Sequence, residues 1–414
     1  MNYVIIGNSI AAVGCVEGIR SRDKSGSITI IGDEPYSVYS RPLISYLLLG
    51  RTDEERMKYR PDDFYEKNHV KTFLGHRAVK VDSKVKCVTL DNGIMLPYDK
   101  LLLATGSKPF VPPMAGMDSV KHKFTFMTLD SAKALEAVLQ PDSRVLIIGA
   151  GLIGLKCAEG IADRVGHIDV VDMADRILPS ILDEESSAMM QKHIEKHHIS
   201  FSLSDSVSQF TENKATLKSG KKLDFDILVV AVGVRPNVEL AEQAGCEVNR
   251  GICTEFSCVT TVPDIYAAGD CAKSHDITTG SDRILALLPN AHMQGIVAGT
   301  NMAGGEEVFD KAIPMNAIGF FGLPIITAGS YDGEAYVTRE PGTYKKLVTK
   351  ENLLKGMILI GDIKRAGIYT SLIREKTPLD TIDFDLIKEH PQLMAFAKKD
   401  RKIKLASAKQ KGDA

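Results

Sequence analysis

Short runs of consecutive apolar residues alternate with amphipathic stretches along most of this chain, and that pattern predicts buried parallel strands separated by helices. The first apolar run, residues 3–6, ends at Gly7; a helical pattern continues to Arg20, and a second run covers residues 27–31. A strand, a glycine turn, a helix and a second strand in this order form a parallel βαβ unit. The N-terminal part of the chain is therefore predicted to be α/β.

The same order of elements occurs again in the middle of the chain. An apolar run over residues 144–148 enters the segment Gly149-Ala150-Gly151-Leu152-Ile153-Gly154, a helical stretch follows, and a run over residues 167–171 ends at Asp172. A further apolar run follows each copy, at residues 101–104 and 228–232. The repetition predicts two nested doubly wound, Rossmann-like domains.

Residues 310–375 have a different character, because their apolar runs are shorter and are separated by turn residues. Glu351-Asn352 lies between two such runs, which predicts a β-hairpin. A helical pattern over residues 366–374 closes the region. We therefore predict a smaller α+β domain after the two nested domains.

Composition and charge narrow the class of protein. The 414 residues suffice for roughly two to three domains of ~150 residues. Lys+Arg 51 and Asp+Glu 53 leave a formal net charge of −2, so no bulk field attracts nucleic acid or a membrane. No apolar run approaches the ~20 residues that span a bilayer. The chain enters its first strand directly after Met1, without the basic segment of a signal peptide, and we expect a cytoplasmic protein.

The cysteines do not indicate a metal site. Seven are present, and no two have the spacing of a CxxC pair: Cys15, Cys87, Cys157, Cys246, Cys253, Cys258 and Cys271. The four between residues 246 and 271 are spaced unlike zinc or iron–sulfur ligands. We interpret them as reduced cysteines, and we predict no metal ion.

The two glycine turns carry the chemistry of dinucleotide binding. A first glycine allows a sharp turn, a second small residue lets the backbone approach a pyrophosphate, and a third lets helix and strand pack closely. The exposed amide groups at the helix N-terminus then bind the phosphates. In the first copy these positions are Gly7, Ser9 and Ala12; in the second they are all glycine.

An acidic residue follows the second strand of each copy, where it would bind a ribose. Asp33 and Glu34 follow the first, and Asp172 follows the second, at roughly the 20-residue distance that the motif requires. A carboxylate there binds the 2′-hydroxyl of NAD and repels the 2′-phosphate of NADP. Asp172 therefore predicts NADH, although Arg176 offers an alternative contact for NADPH.

Over residues 1 to about 375, this order of motifs resembles the FAD- and NAD(P)-dependent pyridine nucleotide-disulfide oxidoreductases. The segment from Glu34 to Ser45 is most similar to NADH:rubredoxin and ferredoxin reductases and to the flavin half of NADH-dependent nitrite reductases. The resemblance implies FAD in the first nucleotide domain and NAD(H) in the second. It further implies that Glu34 holds the FAD ribose, that Arg41 lies against the FAD adenosine and pyrophosphate, and that Asp270 holds the ribityl chain or pyrophosphate.

The resemblance identifies two sets of cofactor-binding residues and four regions. For FAD they are Gly7, Ser9, Ala12, Asp33, Glu34, Arg41, Pro42, Val79, Thr105, Gly106, Gly269, Asp270, Pro289 and Asn290. For NAD they are Gly149, Gly151, Leu152, Ile153, Gly154, Asp172, Val232 and Gly233. The regions are an FAD-binding domain (1–110 and 235–308), an NAD-binding domain (111–234), an α+β interface domain (309–376) and a helical, basic C-terminal tail (377–414).

Departures from the family pattern narrow the expected reaction. Residues 36–50 contain no cysteine, whereas disulfide reductases, CoA-disulfide reductases and NADH oxidases of the family carry one or two beside the flavin. Relatives often place a lysine where Tyr46 stands here and a glutamate where Lys156 stands. We expect no obligatory catalytic side chain. Lys156 is a candidate for stabilising reduced flavin, with a solvated helix lysine as the alternative.

These patterns lead to one expected function with two alternatives. We expect an enzyme that transfers electrons between NADH and an iron–sulfur or rubredoxin-like protein through FAD, as the flavoprotein component of a larger hetero-oligomeric redox complex. The alternatives are an enzyme like NADH oxidase or CoA-disulfide reductase, and a non-enzymatic NADH-sensing flavoprotein. Seven basic residues between Lys398 and Lys411 form either a docking arm for an acidic partner or a frayed terminus.

Overall fold

The computed structural model describes residues 1–396, and the chain divides into two compact units. The first unit comprises residues 1–274 and 282–310; the second comprises residues 275–281 and, of the described residues, 311–396. The basic residues 398–411 lie outside the described residues. None of the helices within residues 1–396 combines the length and the apolar character needed to cross a membrane.

The helices and strands follow one another closely along the described chain. The N-terminal part contains β1 (Asn2–Ile6), α1 (Ile10–Arg22), β2 (Ser27–Gly32), α2 (Ile44–Leu48), α3 (Phe64–Lys67), β3 (Val70–Leu74), β4 (Ala78–Asp82), β5 (Cys87–Leu90), β6 (Met95–Pro97), β7 (Lys100–Leu103) and β8 (Ser107–Pro109). The middle part contains β9 (Lys123–Phe124), α4 (Leu129–Glu136), β10 (Arg144–Ile148), α5 (Leu152–Ile161), β11 (His167–Val171), α6 (Glu184–Ile194), β12 (Ile199–Ser202), β13 (Val207–Thr211), β14 (Lys214–Leu217), β15 (Lys222–Asp224), β16 (Ile227–Val230) and β17 (Val234–Pro236). The remaining elements are α7 (Glu239–Ala244), β18 (Ile265–Ala267), β19 (Ser274–Asp276), β20 (Ser281–Arg283), α8 (Leu288–Met302), β21 (Met315–Phe320), β22 (Leu323–Gly329), β23 (Glu334–Glu340), β24 (Thr343–Lys350), β25 (Leu353–Ile360), α9 (Ala366–Arg374) and α10 (Phe384–Glu389).

The first unit contains two five-stranded parallel sheets that share the arrangement of four strands. The fifth strand differs, because β18 is the last strand of its sheet along the chain and β9 is the first of its sheet. One sheet runs β18-β7-β1-β2-β3, and the other runs β9-β16-β10-β11-β12. The strand before each glycine turn, β1 or β10, therefore lies in the middle of its sheet. Along the chain, a three-stranded antiparallel sheet follows β3 and another follows β12, and β8 pairs with β17. The predicted pair of doubly wound sheets is confirmed.

The central strands are buried along nearly their whole length, which explains why their sequences read as continuous apolar runs. Residues 3–6 and 145–148 are buried at every position. A strand covered on both faces has no solvent-facing side on which polar residues would alternate. Each sheet has its own core, one around Leu101 and Leu103 and the other around Leu146 and Leu228.

Helices α1 and α8 approach so closely that only glycine fits at four positions of their contact. A Cβ atom on Gly14 would lie 2.4 Å from the carbonyl oxygen of His292, and one on Gly299 would lie 2.1 Å from that of Cys15. Gly18 and Gly295 make similar approaches to the facing backbone and complete the contact. The helix that carries the first glycine turn is thereby held against α8, whose first turn contains two predicted FAD-binding residues.

The second unit is an antiparallel sheet of order β21-β22-β25-β24-β23 with α9 and α10. Glu351 and Asn352 both have positive φ, as a two-residue turn between paired strands requires, and this confirms the predicted hairpin. The described part of the segment that we assigned to a tail packs into this core, because Ile387 is fully buried and Phe396 is 4% exposed. Tyr369 also donates a hydrogen bond to the carbonyl oxygen of Ile387 at 2.9 Å.

Candidate functional site

Each parallel sheet ends in a glycine turn that no larger residue would permit. At Gly7, φ is +118° and a Cβ atom would lie 2.0 Å from the carbonyl oxygen of Ala104. At Gly149, φ is +113° and a Cβ atom would lie 2.3 Å from the carbonyl oxygen of Ala231. Each glycine passes close to the residue that follows a neighbouring strand of its sheet, β7 for Gly7 and β16 for Gly149. The two turns are therefore equivalent in structure as well as in sequence.

Open space lies beside both turns, as a bound dinucleotide requires. A Cβ atom built on Gly151 would meet no atom within 4 Å, and the same holds for Gly106 and Gly233. Ser9 and Gly151 are the N-cap residues of α1 and α5, and neither helix has a side-chain cap there in the described structure. Uncapped amide groups next to open space fit a pyrophosphate. The two turns thus fit FAD and NAD.

The third position of each motif sets the distance between helix and turn. A Cβ atom on Gly154 would lie 2.0 Å from the carbonyl oxygen of Gly149, so α5 crosses the turn closely. Ala12 occupies this position in the first copy and is fully buried. Leu152 and Ile153, the first residues of α5, are half-buried beside the second turn.

The carboxylate of Asp172 is tied to the second glycine turn. Its Oδ2 accepts a hydrogen bond from the backbone N–H of Ala150 at 2.6 Å, and its Oδ1 accepts one from Ala174 at 2.8 Å. An ionised carboxylate has about four acceptor positions, so capacity for ribose hydroxyls remains. Val232 and Gly233, also predicted to contact NAD, are exposed after β16 of the same sheet.

Glu34 lies at the equivalent position of the first sheet and has two partners. Its Oε1 accepts a hydrogen bond from the hydroxyl of Tyr39 at 2.7 Å, and its Oε2 forms an ion pair with Arg41. The neighbouring Asp33 is exposed, as is Pro42 in the short helical turn that follows Arg41. The structure therefore brings together the acid and the arginine that we predict to contact the FAD adenosine.

Asp270 is a partly buried carboxylate with few hydrogen-bond partners. Burial raises the pKa of its carboxyl group, and a 3.4 Å hydrogen bond from the Ser107 hydroxyl and the charge of Arg41 oppose this only in part. The N–H of Gly269 donates to Oε1 of Gln294 at 2.9 Å, which holds the turn against α8. A carboxylate in this setting fits a site whose ligand supplies hydroxyl donors.

The remaining predicted FAD residues surround the same region of the first unit. Thr105 and Gly106 are fastened to Asn237: the Thr105 hydroxyl donates to the Asn237 carbonyl at 2.7 Å, and the Asn237 N–H donates to the Gly106 carbonyl at 2.9 Å. Val79 is exposed at the bulge between Ala78 and Lys80, where its backbone leaves the β4–β5 ladder. Pro289 and the buried Asn290 form the first turn of α8.

Lys156 lies at the contact between the two nucleotide domains and is not solvated. Its side chain is 12% exposed, forms an ion pair with Glu159 and lies over the ring of Tyr46 at 4.4 Å. A Cβ atom on Gly160 would lie 3.1 Å from the carbonyl oxygen of Ser45, so α5 and α2 are closely packed here. The alternative of a solvated helix lysine is therefore wrong.

Two residues with structural roles at the site were not identified from the sequence. Tyr39 contacts Glu34, and Glu159 neutralises Lys156. The sequence contained a signal for Glu159, since a lysine and a glutamate three residues apart share a helix face. For Tyr39 there was no such signal, because the loop that joins it to Glu34 has no regular periodicity and its contact with Leu129 spans 90 positions of the chain.

The cysteines are unsuited to redox catalysis. Six are buried, Cys253 is partly buried, and none forms a disulfide. Burial raises the pKa of Cys15 and Cys157 strongly and that of Cys258 to about 12, which suppresses the reactive thiolate. Within residues 1–396 no group of His, Cys, Asp and Glu side chains is arranged to hold a metal ion.

Comparison with known proteins places the chain in a family. Residues 1–295 match the pyridine nucleotide-disulphide oxidoreductase family, and residues 314–377 match the rubredoxin NAD+ reductase C-terminal domain. The chain therefore belongs to the pyridine nucleotide-disulphide oxidoreductases. It is an oxidoreductase, and its cofactors are FAD and NAD(H).

Several curated relatives share most of this chain. The NADH-dependent phenylglyoxylate dehydrogenase subunit epsilon of Aromatoleum evansii is 30% identical over 91% of the chain and 92% of its own length. The nitrite reductase [NAD(P)H] of Bacillus subtilis is 30% identical over 91% of the chain, which spans only 47% of that protein. An NADH oxidase of Methanocaldococcus jannaschii is 34% identical over 75% of the chain and 71% of its own length.

A solved structure reproduces the fold. In the crystal structure of the covalent putidaredoxin reductase–putidaredoxin complex, a chain of 23% identity superimposes with a TM-score of 0.86. The match covers 99% of both chains. The fold class predicted from the order of motifs is thus confirmed.

Proposed function

We propose that this chain transfers electrons between NAD(H) and an iron–sulfur or rubredoxin-like protein, with FAD as the intermediate carrier. The observation that carries the proposal is the pair of equivalent glycine turns, Gly7 and Gly149, which follow the middle strands of two parallel sheets within one compact unit. One unit with two dinucleotide sites has the architecture needed to place two redox cofactors together.

The residues of the chain position the cofactors and leave the redox chemistry to them. FAD supplies the capacity to accept a hydride and return electrons singly. Glu34 and Arg41 orient the adenosine end in the first site, and Asp172 selects NADH in the second. Hydride transfer depends on placement of the two rings rather than on a side-chain acid or base, so no catalytic residue is assigned.

The absence of a cysteine from residues 36–50 argues against a reaction that uses a thiol beside the flavin. Reduction of CoA disulfide requires an accessible thiolate beside the flavin, whereas here the cysteines are mainly buried and have raised pKa values. An NADH oxidase is the second candidate, because a relative of that name is 34% identical. It differs from the first in using oxygen rather than a protein as the acceptor.

Two observations support a protein partner. Residues 314–377 match a domain named for rubredoxin NAD+ reductases, and the chain spans about half the length of the nitrite reductase that it resembles. We propose that it acts as the flavoprotein component of a hetero-oligomeric complex. The cytoplasm is the proposed compartment, since seven unpaired cysteines suit a reducing environment.

An acceptor panel tests the proposed function. The purified holoprotein receives NADH together with oxidised rubredoxin, a [2Fe–2S] ferredoxin, oxygen or CoA disulfide, and the rate of NADH oxidation is measured. We expect rubredoxin or ferredoxin to give the highest kcat/KM. Faster turnover with oxygen would support the NADH oxidase instead, and no turnover with any acceptor would support an NADH-sensing flavoprotein.

A further inference from the structure

Tyr39 connects Glu34 to the start of helix α4. Its hydroxyl donates a hydrogen bond to Oε1 of Glu34 at 2.7 Å and accepts one from the backbone N–H of Leu129 at 2.9 Å. A hydroxyl group has a single proton, so the bond from Leu129 leaves that proton for Glu34. The two hydrogen bonds thus have one direction, from the α4 backbone through Tyr39 to the carboxylate.

The other oxygen of Glu34 is also fixed. Arg41 forms an ion pair with Oε2, and its guanidinium lies 5.9 Å from the centre of the Tyr39 ring. These partners use two of the about four acceptor positions of the carboxylate. Two positions remain, which matches the two adjacent hydroxyls of a ribose. Arg41 and Tyr39 therefore hold Glu34 in place without exhausting its capacity for a ligand.

The start of α4 is a rigid support for this arrangement. Thr128 and Ser131 form a capping box that satisfies the amide groups of each other's residues. The N–H of Leu129 is one of the amide groups at the helix start that have no partner within the helix and that the capping box does not bind. It donates a hydrogen bond to the Tyr39 hydroxyl. Burial raises the pKa of Tyr39, so the hydroxyl keeps its proton and remains a donor to Glu34 at physiological pH.

We propose that Tyr39 is the positioning residue for recognition of the FAD adenosine ribose. It holds Glu34 in the orientation that leaves two acceptor positions for the ribose hydroxyls, and it ties this site to α4 of the NAD-binding region. The inference rests on the proposed function, in which Glu34 binds that ribose.

The sequence provides a matched control in Tyr36. This residue belongs to the same loop, and its hydroxyl donates to Oδ1 of Asp130 on the same helix at 2.5 Å. Within residues 1–396 the Tyr36 hydroxyl has no hydrogen bond to Glu34. Tyr39→Phe and Tyr36→Phe each remove one loop-to-α4 hydrogen bond and retain the ring, but only the first affects Glu34.

The test first measures release of FAD from full-length holoprotein on dilution. It then measures binding of FMN to the same protein after its FAD has been removed, because FMN has no adenosine ribose. Because the lost hydrogen bond is to a charged group, Tyr39→Phe should weaken FAD binding about tenfold. Its FMN affinity should stay near that of the unmodified protein. Tyr36→Phe should change neither affinity, and thermal unfolding with saturating FAD confirms that both variants fold.

Two outcomes would overturn the inference. If Tyr39→Phe and Tyr36→Phe weaken FAD binding equally, or if Tyr39→Phe weakens FMN binding as much as FAD binding, Tyr39 only packs the loop. Glu34→Gln tests the underlying assignment separately. If that variant keeps full FAD affinity, Glu34 does not bind the ribose and the proposed FAD site fails, whatever Tyr39→Phe does.

Discussion

The ammonium group of Lys156 on α5 lies over the ring of Tyr46 on α2, 4.4 Å from its centroid. The family resemblance implies a lysine at the position of Tyr46 and a glutamate at that of Lys156. Here the cation stands on the helix of the second glycine turn, and its carboxylate partner, Glu159, is on the same helix. The ion pair therefore lies within one helix, and the aromatic ring that its cation contacts lies on α2.

Replacement of Lys156 should lower the free energy of unfolding and should have little effect on the rate at which NADH reduces the flavin. Lys156→Met removes the ion pair between Lys156 and the carboxylate of Glu159, which is 3% exposed. Loss of one member of a buried pair costs about 3 kcal/mol in the free energy of unfolding. The double variant Lys156→Met/Glu159→Gln should recover most of that loss, as measured by urea unfolding.

The same double variant tests whether Lys156 takes part in the reaction. If the chain only positions the cofactors, NADH should reduce the flavin of the double variant within about threefold of the unmodified rate. A rate lower by orders of magnitude in a stably folded variant would identify Lys156 as a catalytic residue.

Asp172 should determine the preference for NADH. Met173, the next residue, is 77% exposed, so an arginine there would be free to meet a 2′-phosphate. Asp172→Ser/Met173→Arg should lower the ratio of kcat/KM for NADH to that for NADPH by about tenfold or more. It should also raise the KM for NADH, because Ala150 and Ala174 lose their acceptor.

Met173→Arg alone is the control for this change. With Asp172 retained, the carboxylate still repels a 2′-phosphate and NADH should remain preferred. Equal use of both nucleotides by the unmodified protein would show that Arg176, which pairs with Asp175 at 2.8 Å, has the recognition role instead.

Replacement by asparagine should change the stability of the FAD-free protein in opposite directions at Asp270 and at Asp264. Burial raises the pKa of Asp270, so its effect on folding is most favourable below the ordinary carboxyl pKa and is lost as the pH rises through the raised value. Asp270→Asn should therefore stabilise the FAD-free protein at pH 7 and weaken its binding of FAD. Thermal unfolding without FAD and an FAD titration measure the two effects.

Asp264 is the matched control. Ion pairs with Lys100 at 2.5 Å and Lys86 at 2.6 Å lower its pKa, so its stabilising effect is present above the ordinary carboxyl pKa and is lost as the pH falls through the lowered value. Asp264→Asn should destabilise the protein at pH 7 and leave FAD binding unchanged. The same sign of stability change in both variants would contradict this account.

Much of the fold could be predicted because its signals are local. The glycine turns at Gly7 and Gly149, and the buried strands before them, are each encoded by a few consecutive residues. The repeated βαβ order then predicts two doubly wound sheets. The contacts that shape the site are not local. Tyr39 meets Leu129 across 90 positions of the chain, and no periodicity encodes such a pair.

The C-terminal segment shows a further limit of reasoning from sequence. Residues 384–396 have an amphipathic pattern, but this pattern does not predict which surface of the protein the apolar face packs against. In the structure Ile387 and Phe396 complete the core of the second unit. The boundary placed at residue 376 therefore separates residues that fold together, because the partner surface is formed by distant strands.

Two truncations separate the core function of this segment from partner docking. A chain ending at Pro378 loses Ile387 and Phe396 and should unfold at a lower temperature. A chain ending at Phe396 keeps both of these core residues, removes the segment that contains the seven basic residues, and should retain FAD and NADH:dye activity. If those residues dock an acidic iron–sulfur protein, the second truncation should slow transfer to that acceptor at low salt, and the difference should vanish at high salt.

The central claim is that electrons pass between NADH and a protein acceptor through FAD without a thiol. The most direct measurement is anaerobic stopped-flow spectroscopy of the holoprotein, untreated and alkylated with iodoacetamide, mixed first with NADH and then with oxidised rubredoxin or ferredoxin. The account predicts that a single equivalent of NADH bleaches the flavin absorbance and that the acceptor restores it, at the same rates in both samples. Loss of either step on alkylation, or a second equivalent of NADH needed for full reduction, would contradict it.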